Sequence, residues 1–157
     1  MDYFSRFMEI LEALEKEKVE YILIGGFAII LYGLPRLTED IDLFIKQDDN
    51  NISRLKHALL SVFADESINE INPEMLKEYP VIRYGSPDGF YIDILCSLGE
   101  AFKYDDLEYT EKVINGLRVR IASAETLYAM KKDTVRPIDK EDSIFLQNII
   151  KQKNEEK

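Results

Sequence analysis

The stretch Tyr21–Ile45, YILIGGFAIILYGLPRLTEDIDLFI, constrains this chain more than any other. It reads as strand, Gly-Gly turn, short helix over Phe27–Tyr32, loop and strand. In the second strand Asp40 and Asp42 hold alternate positions. Strand side chains repeat with period two, so both carboxylates point to one side, and Ile41, Leu43 and Ile45 to the other. Two carboxylates held together repel and lose hydration, which a folded chain tolerates when a cation or a proton sits between them. Gly25-Gly26 leads straight into a helix, whose first N–H groups can hold an anion. A phosphate site beside a divalent-cation site points to a nucleoside triphosphate (NTP).

The 157 residues suit one domain with a sizeable core, and 46% hydrophobic with 32% charged residues is a globular composition, not a disordered one. The expected division is a domain over 1–150 and a frayed, charged tail over 151–157. No apolar run reaches the roughly 18 residues of a membrane span. The acidic, amphipathic N-terminus lacks the features of a signal peptide. Cys96 is the sole cysteine, so no internal disulfide forms, and a cytoplasmic location is the default expectation. A net charge of −10 argues against general nucleic-acid binding. A local basic pocket of Arg36, Arg83, Lys131, Lys132 and Arg136 stays open.

The remaining chain reads in order. Residues 2–17 carry Tyr3, Phe4, Phe7, Met8, Leu11 and Leu14 at helical spacing. A strand over 19–24 follows, and Gly33 with Pro35 ends the helix after it. A helix over about 52–63 bears His57, the only histidine, which is expected at the surface. Asn72-Pro73 starts a short helix. Val81–Tyr84 and Phe90–Leu95 flank a Pro-Asp-Gly turn and form a hairpin, with Asp93 a charge in an apolar strand. Residues 99–112 read mostly as loop. Asn115-Gly116 joins two short strands. Ser123 caps a helix over 124–132, and Asp139 caps the last helix, with Ile144, Phe145, Leu146 and Ile149 inward.

Gly25-Gly26, thirteen residues, then Asp40-Ile41-Asp42-Leu43 resembles the signature of the DNA-polymerase-β-like nucleotidyltransferase superfamily. Asp93 in YIDIL resembles its third carboxylate. IGGFAIILYG with PRLTEDIDLFI is similar to the minimal AbiEii-type branch. NGLRVRIASAETLYAMKKD and the run from Arg136 to Asp142 resemble that branch downstream. The resemblance implies an α+β domain, a mixed sheet with helices packed on one side. It implies transfer of a nucleoside monophosphate from an NTP, with two Mg²⁺ or Mn²⁺ ions held by Asp40, Asp42 and Asp93. Gly25, Gly26, Arg36, Thr38 and Lys131 would contact the nucleotide. The acceptor, a small molecule, a protein or a tRNA end, is not specified by these residues. A cognate antitoxin or toxin is a candidate partner.

Structural readings stand beside the functional ones. Asp93 could be paired with Arg83 or Arg120, Lys131 and Arg36 could serve the surface, and Cys96 fits the core. Two other functions fit Asp-x-Asp: a non-catalytic nucleotide-binding or partner-binding module, and a nucleotide-sugar glycosyltransferase.

Overall fold

The computed structural model describes residues 2–131 and 137–156. Helix α1 (Tyr3–Lys16) starts where Asp2 Oδ1 accepts the Ser5 N–H at 2.7 Å, and it buries Phe7, Ile10, Leu11 and Leu14. Each such buried side chain contributes about 1.5–3 kcal/mol, set against the entropy of ordering it. Tyr3 and Phe4, expected on the inward stripe, are about 40% exposed at the frayable first turn.

Strand β1 (Tyr21–Ile24) is buried throughout, and helix α2 (Gly25–Tyr32) follows without a loop. The Gly-Gly pair therefore forms the first helical turn and not a separate turn before it. Gly33, with φ +117°, ends the helix in a left-handed conformation that glycine adopts freely. Strand β2 (Asp40–Ile45) then returns antiparallel to β1. Helix α3 (Asp49–Phe63) is anchored by the fully buried Asn51. Its Oδ1 accepts the Glu20 N–H at 2.7 Å, and its Nδ2 donates to the Glu20 and Lys46 carbonyls at 3.0 Å each. One side chain thus ties the outer ends of β1 and β2 to α3, satisfying its own polar groups as burial requires.

A 3₁₀ turn over Glu66–Glu70 and helix α4 (Pro73–Glu78) lead to the hairpin β3 (Ile82–Gly85) and β4 (Tyr91–Leu95). A two-stranded ribbon, β5 (Ser97–Leu98) with β6 (Phe102–Lys103), is followed by the longer hairpin β7 (Tyr109–Ile114) and β8 (Leu117–Ala122). Residues 99–112, expected mostly as loop with a helical turn, hold a 3₁₀ turn over Tyr104–Asp106 between two short stretches of strand at 102–103 and 109–112. Helices α5 (Ala124–Lys131) and α6 (Pro137–Glu155) pack on each other. The stretch 151–155, expected to fray, continues α6, and Lys153 Nζ reaches Glu125 Oε1 on α5 at 3.2 Å. Asp139 lies in the first turn of α6, within the helix rather than before it, and Ile144, expected inward, is 60% exposed.

The mixed sheet has the order β3-β4-β2-β1-β8-β7. β2 runs antiparallel to β1 at its centre and parallel to β4 on its other side, and helices pack against the sheet. No helix among the described residues is long and apolar enough to cross a membrane. His57 is exposed and Cys96 buried, as expected.

Candidate active site

Sheet register builds the site. Arg83 pairs with Asp93 across β3 and β4, Asp93 with Asp42 across β4 and β2, and Asp42 with Ile24 across β2 and β1. In-register residues share a face. Arg83, Asp93 and Asp42 therefore form one row that runs up to the start of α2. Asp40 stands two residues before Asp42 on that face.

Gly25 completes the row. A Cβ at Gly25 would stand 1.8 Å from Asp42 Oδ2, and its φ of +76° favours glycine independently. The N-terminus of α2 has no side-chain cap, which leaves first-turn N–H groups facing the carboxylate end of the sheet. At Gly26 a Cβ would lie 3.1 Å from Arg36 Cζ and 3.4 Å from Thr38 Oγ1, so the loop before β2 folds over the second glycine. Thr38 Oγ1 donates to the Asp40 carbonyl at 3.1 Å and accepts the Asp40 N–H at 3.3 Å, bracing the entry to β2.

A cavity of about 230 Å³ opens here, lined by Gly25, Asp42, Asp93, Leu127, Met130 and Lys131 among others. Asp42 is held well above the usual carboxylate range by burial, then by its hydrogen bond with Asp93 and the charges of Asp93 and Asp40. The Lys131 charge pulls it back in part. Asp93 and Asp40 have another partner. Arg83 Nε donates to Asp93 Oδ1 at 2.8 Å, and its Nη2 donates to Asp93 Oδ2 at 3.0 Å and to Asp40 Oδ2 at 3.1 Å. Those carboxylates raise the Arg83 pKa further above its ordinary value. Among the described residues no three His, Cys, Asp or Glu side chains converge as a ready-made metal cluster, and Arg83 stands at the Asp40 and Asp93 carboxylates instead.

The cations expected to meet nucleotide are engaged with acids of α6. Arg36 Nη1 donates to Asp142 Oδ2 at 2.5 Å. Lys131 Nζ lies 2.7 Å from Asp139 Oδ1 and 3.1 Å from Asp142 Oδ2. Asp142 is fully buried, so this network fastens α5, α6 and the Arg36 loop behind the cavity. The structure therefore brings Asp40, Asp42, Asp93, Gly25, Gly26 and Lys131 to one place, with Arg36 and Thr38 alongside Gly26. Lys132 and Arg136 of the expected basic pocket lie outside the described residues.

Three residues carry more here than the sequence reading gave them. Arg83 entered it as one of two possible partners for Asp93, and the hairpin's turn is the signal that fixes their register. Asp139 and Asp142 are three apart on α6, which places both on one face of the helix, a spacing visible in the sequence.

Solved structures share the architecture. The lincosamide antibiotic adenylyltransferase LnuA, with lincomycin bound, is 16% identical over 92% of this chain and 96% of its own, with a TM-score of 0.60. ANT(2'')-Ia in complex with adenylyl-2''-tobramycin is 17% identical over 93% and 88%, with a TM-score of 0.55. An antigenic nucleotidyltransferase-like protein from Paracoccidioides brasiliensis is 21% identical over 92% and 75%, with a TM-score of 0.54. At these identities the likeness establishes the fold alone. No curated protein matches the sequence significantly. Residues 6–140 match a family as a whole, and the chain belongs to it: the family described as nucleotidyl transferase AbiEii toxin, Type IV TA system.

Proposed function

We propose that this chain transfers a nucleoside monophosphate from an NTP to an acceptor hydroxyl and releases pyrophosphate. The observation that carries the reading is the in-register pair Asp42–Asp93 set against the uncapped, glycine-started helix α2. Family membership favours this chemistry over glycosyl transfer from a nucleotide sugar.

Asp40, Asp42 and Asp93 supply hard oxygen donors only, a set that suits Mg²⁺ or Mn²⁺, two ions per site. Asp42 and Asp93 meet in register with Asp40 two residues away on the same face, and a cation would relieve the crowding that raises Asp42, so the donor types fit the group once Arg83 yields its place. When bound, such ions neutralise triphosphate charge and acidify the attacking hydroxyl. Gly25 and Gly26 would present backbone N–H groups to phosphate oxygens. Arg36 Nη2, turned toward Gly26, would add a donor there, and Thr38 would fix the loop that carries it. Lys131, held on the cavity wall by Asp139 and Asp142, would face the triphosphate with its charge already positioned. A carboxylate oxygen of Asp93 would take the acceptor hydroxyl's proton.

The lincosamide adenylyltransferase LnuA and the ANT(2'')-Ia complex with adenylyl-2''-tobramycin support a small-molecule acceptor, and membership of a toxin family of a type IV system supports a protein partner of the toxin–antitoxin kind. Each α-labelled NTP, with Mg²⁺ or Mn²⁺, would be offered to pools of hydroxylated small molecules, proteins and tRNA. Label transferred by wild type and not by Asp93→Asn supports the reading, and no transfer to any pool contradicts it. One observation favours a second reading, nucleotide binding without turnover: Arg83 ties up both Asp40 and Asp93. Binding with no transfer is its outcome.

A further inference from the structure

Arg83 is held by its ion pairs and by the face of Tyr91, with little burial. It lies on β3, the edge strand of the sheet, and its side chain is 52% exposed, whereas that of Asp93 is 12% exposed. Its three donor contacts span carboxylates from two different strands, and the planar fork of a guanidinium suits such bidentate contact. The Tyr91 ring centroid lies 4.8 Å from Arg83 Cζ, so the guanidinium stacks on that ring while it holds the carboxylates. Both oxygens of Asp93 and one of Asp40 are thus committed to a positive group inside the chain. A second cation at those oxygens meets like charge and finds one acceptor site of each already taken.

We propose that Arg83 is a built-in counter-ion: it keeps Asp40 and Asp93 aligned in the metal-free chain, and it competes with a divalent cation for both carboxylates. The proposal rests on the metal-dependent reading above and makes Arg83 a positioning residue. Two effects of opposite sign follow from the one side chain. Its pairing steadies the metal-free site, where three carboxylates would otherwise repel. The same pairing weakens the affinity of that site for a cation offered alone.

The test is a calorimetric titration of Mn²⁺ alone into the full chain as wild type, Arg83→Lys and Arg83→Ala, with metal-free melting temperatures recorded alongside. Arg83→Ala is expected to bind Mn²⁺ about three- to tenfold more tightly than wild type while melting lower without metal. Arg83→Lys keeps the charge but cannot make the fork, so its affinity falls between the two. An Arg83→Ala affinity equal to or weaker than that of wild type leaves Arg83 a merely structural role and overturns the proposal. An Arg83→Lys affinity equal to that of wild type means that charge alone acts, which also overturns it. If none of the three binds Mn²⁺, the metal-dependent reading falls and takes this one with it. Binding by wild type with unchanged variants overturns the counter-ion alone.

Discussion

The Asp42 carboxylate lies directly against the Cα of Gly25, so close that a Cβ there would stand 1.8 Å from Oδ2. Gly25→Ala therefore combines backbone strain at φ +76° with displacement of a site carboxylate. Gly33→Ala provides the comparison, because φ is +117° but nothing lies within 4 Å of a Cβ there. Each should lose about 1–3 kcal/mol of stability, at about 2–4 °C of Tm per kcal/mol for a chain of this size. Only Gly25→Ala should also lose NTP binding. Equal NTP binding by the two variants would contradict the close approach.

Asp142 is a buried acid that accepts from both Arg36 and Lys131. Asp142→Ala leaves two cations without it and should cost about 3–5 kcal/mol in urea unfolding. Adding Arg36→Met and Lys131→Met to that variant should recover part of the loss, because fewer charges are then left uncompensated. Simple addition of the single costs would argue against a shared network.

The surroundings of Asp42 work against stability. Burial and two acidic neighbours disfavour its charge. Asp42→Asn keeps the shape and removes the charge, so near pH 8 and without metal it should be more stable than wild type by about 0.5–2 kcal/mol, the usual exchange of stability for a site. Measured destabilisation would show that the carboxylate makes net favourable contacts.

Burial pushes the Cys96 thiol up to about 11. A raised acid pKa means that the folded chain holds the proton longer. Its contribution is complete below the ordinary thiol pKa and is lost as pH rises through about 11. At pH 8 the native thiol should react with a disulfide reagent about a hundredfold more slowly than after denaturation. A native rate equal to the denatured rate would place the thiol at the surface.

Period-two patterning made the centre of the sheet readable. Asp40 and Asp42 fell on one face, and Asp93 read as a lone charge in a strand later found in register with Asp42. The edges were harder. β7 alternates exposed with half-buried residues and carries Thr110, Glu111 and Lys112, so no apolar face marks it as strand. On α6 apolar counting pointed to Ile144, whereas the buried positions include Asp139, Asp142 and Ser143. Burial there follows ion pairs with Lys131 and Arg36, which lie far off in sequence and leave no hydrophobic period. The Gly-Gly pair was read as a turn before the helix. It is the start of the helix itself, because β1 passes into α2 without an intervening residue.

The most direct test of the central claim is calorimetric titration of each NTP with Mg²⁺ into wild type and into Asp42→Asn. The predicted result is metal-dependent binding of at least one NTP by wild type, with Kd in the range of about 1 μM to 1 mM. Asp42→Asn, still folded by circular dichroism, should not bind. Undiminished binding by Asp42→Asn, or no binding of any NTP by wild type, would contradict an NTP site at the Asp42–Asp93 row.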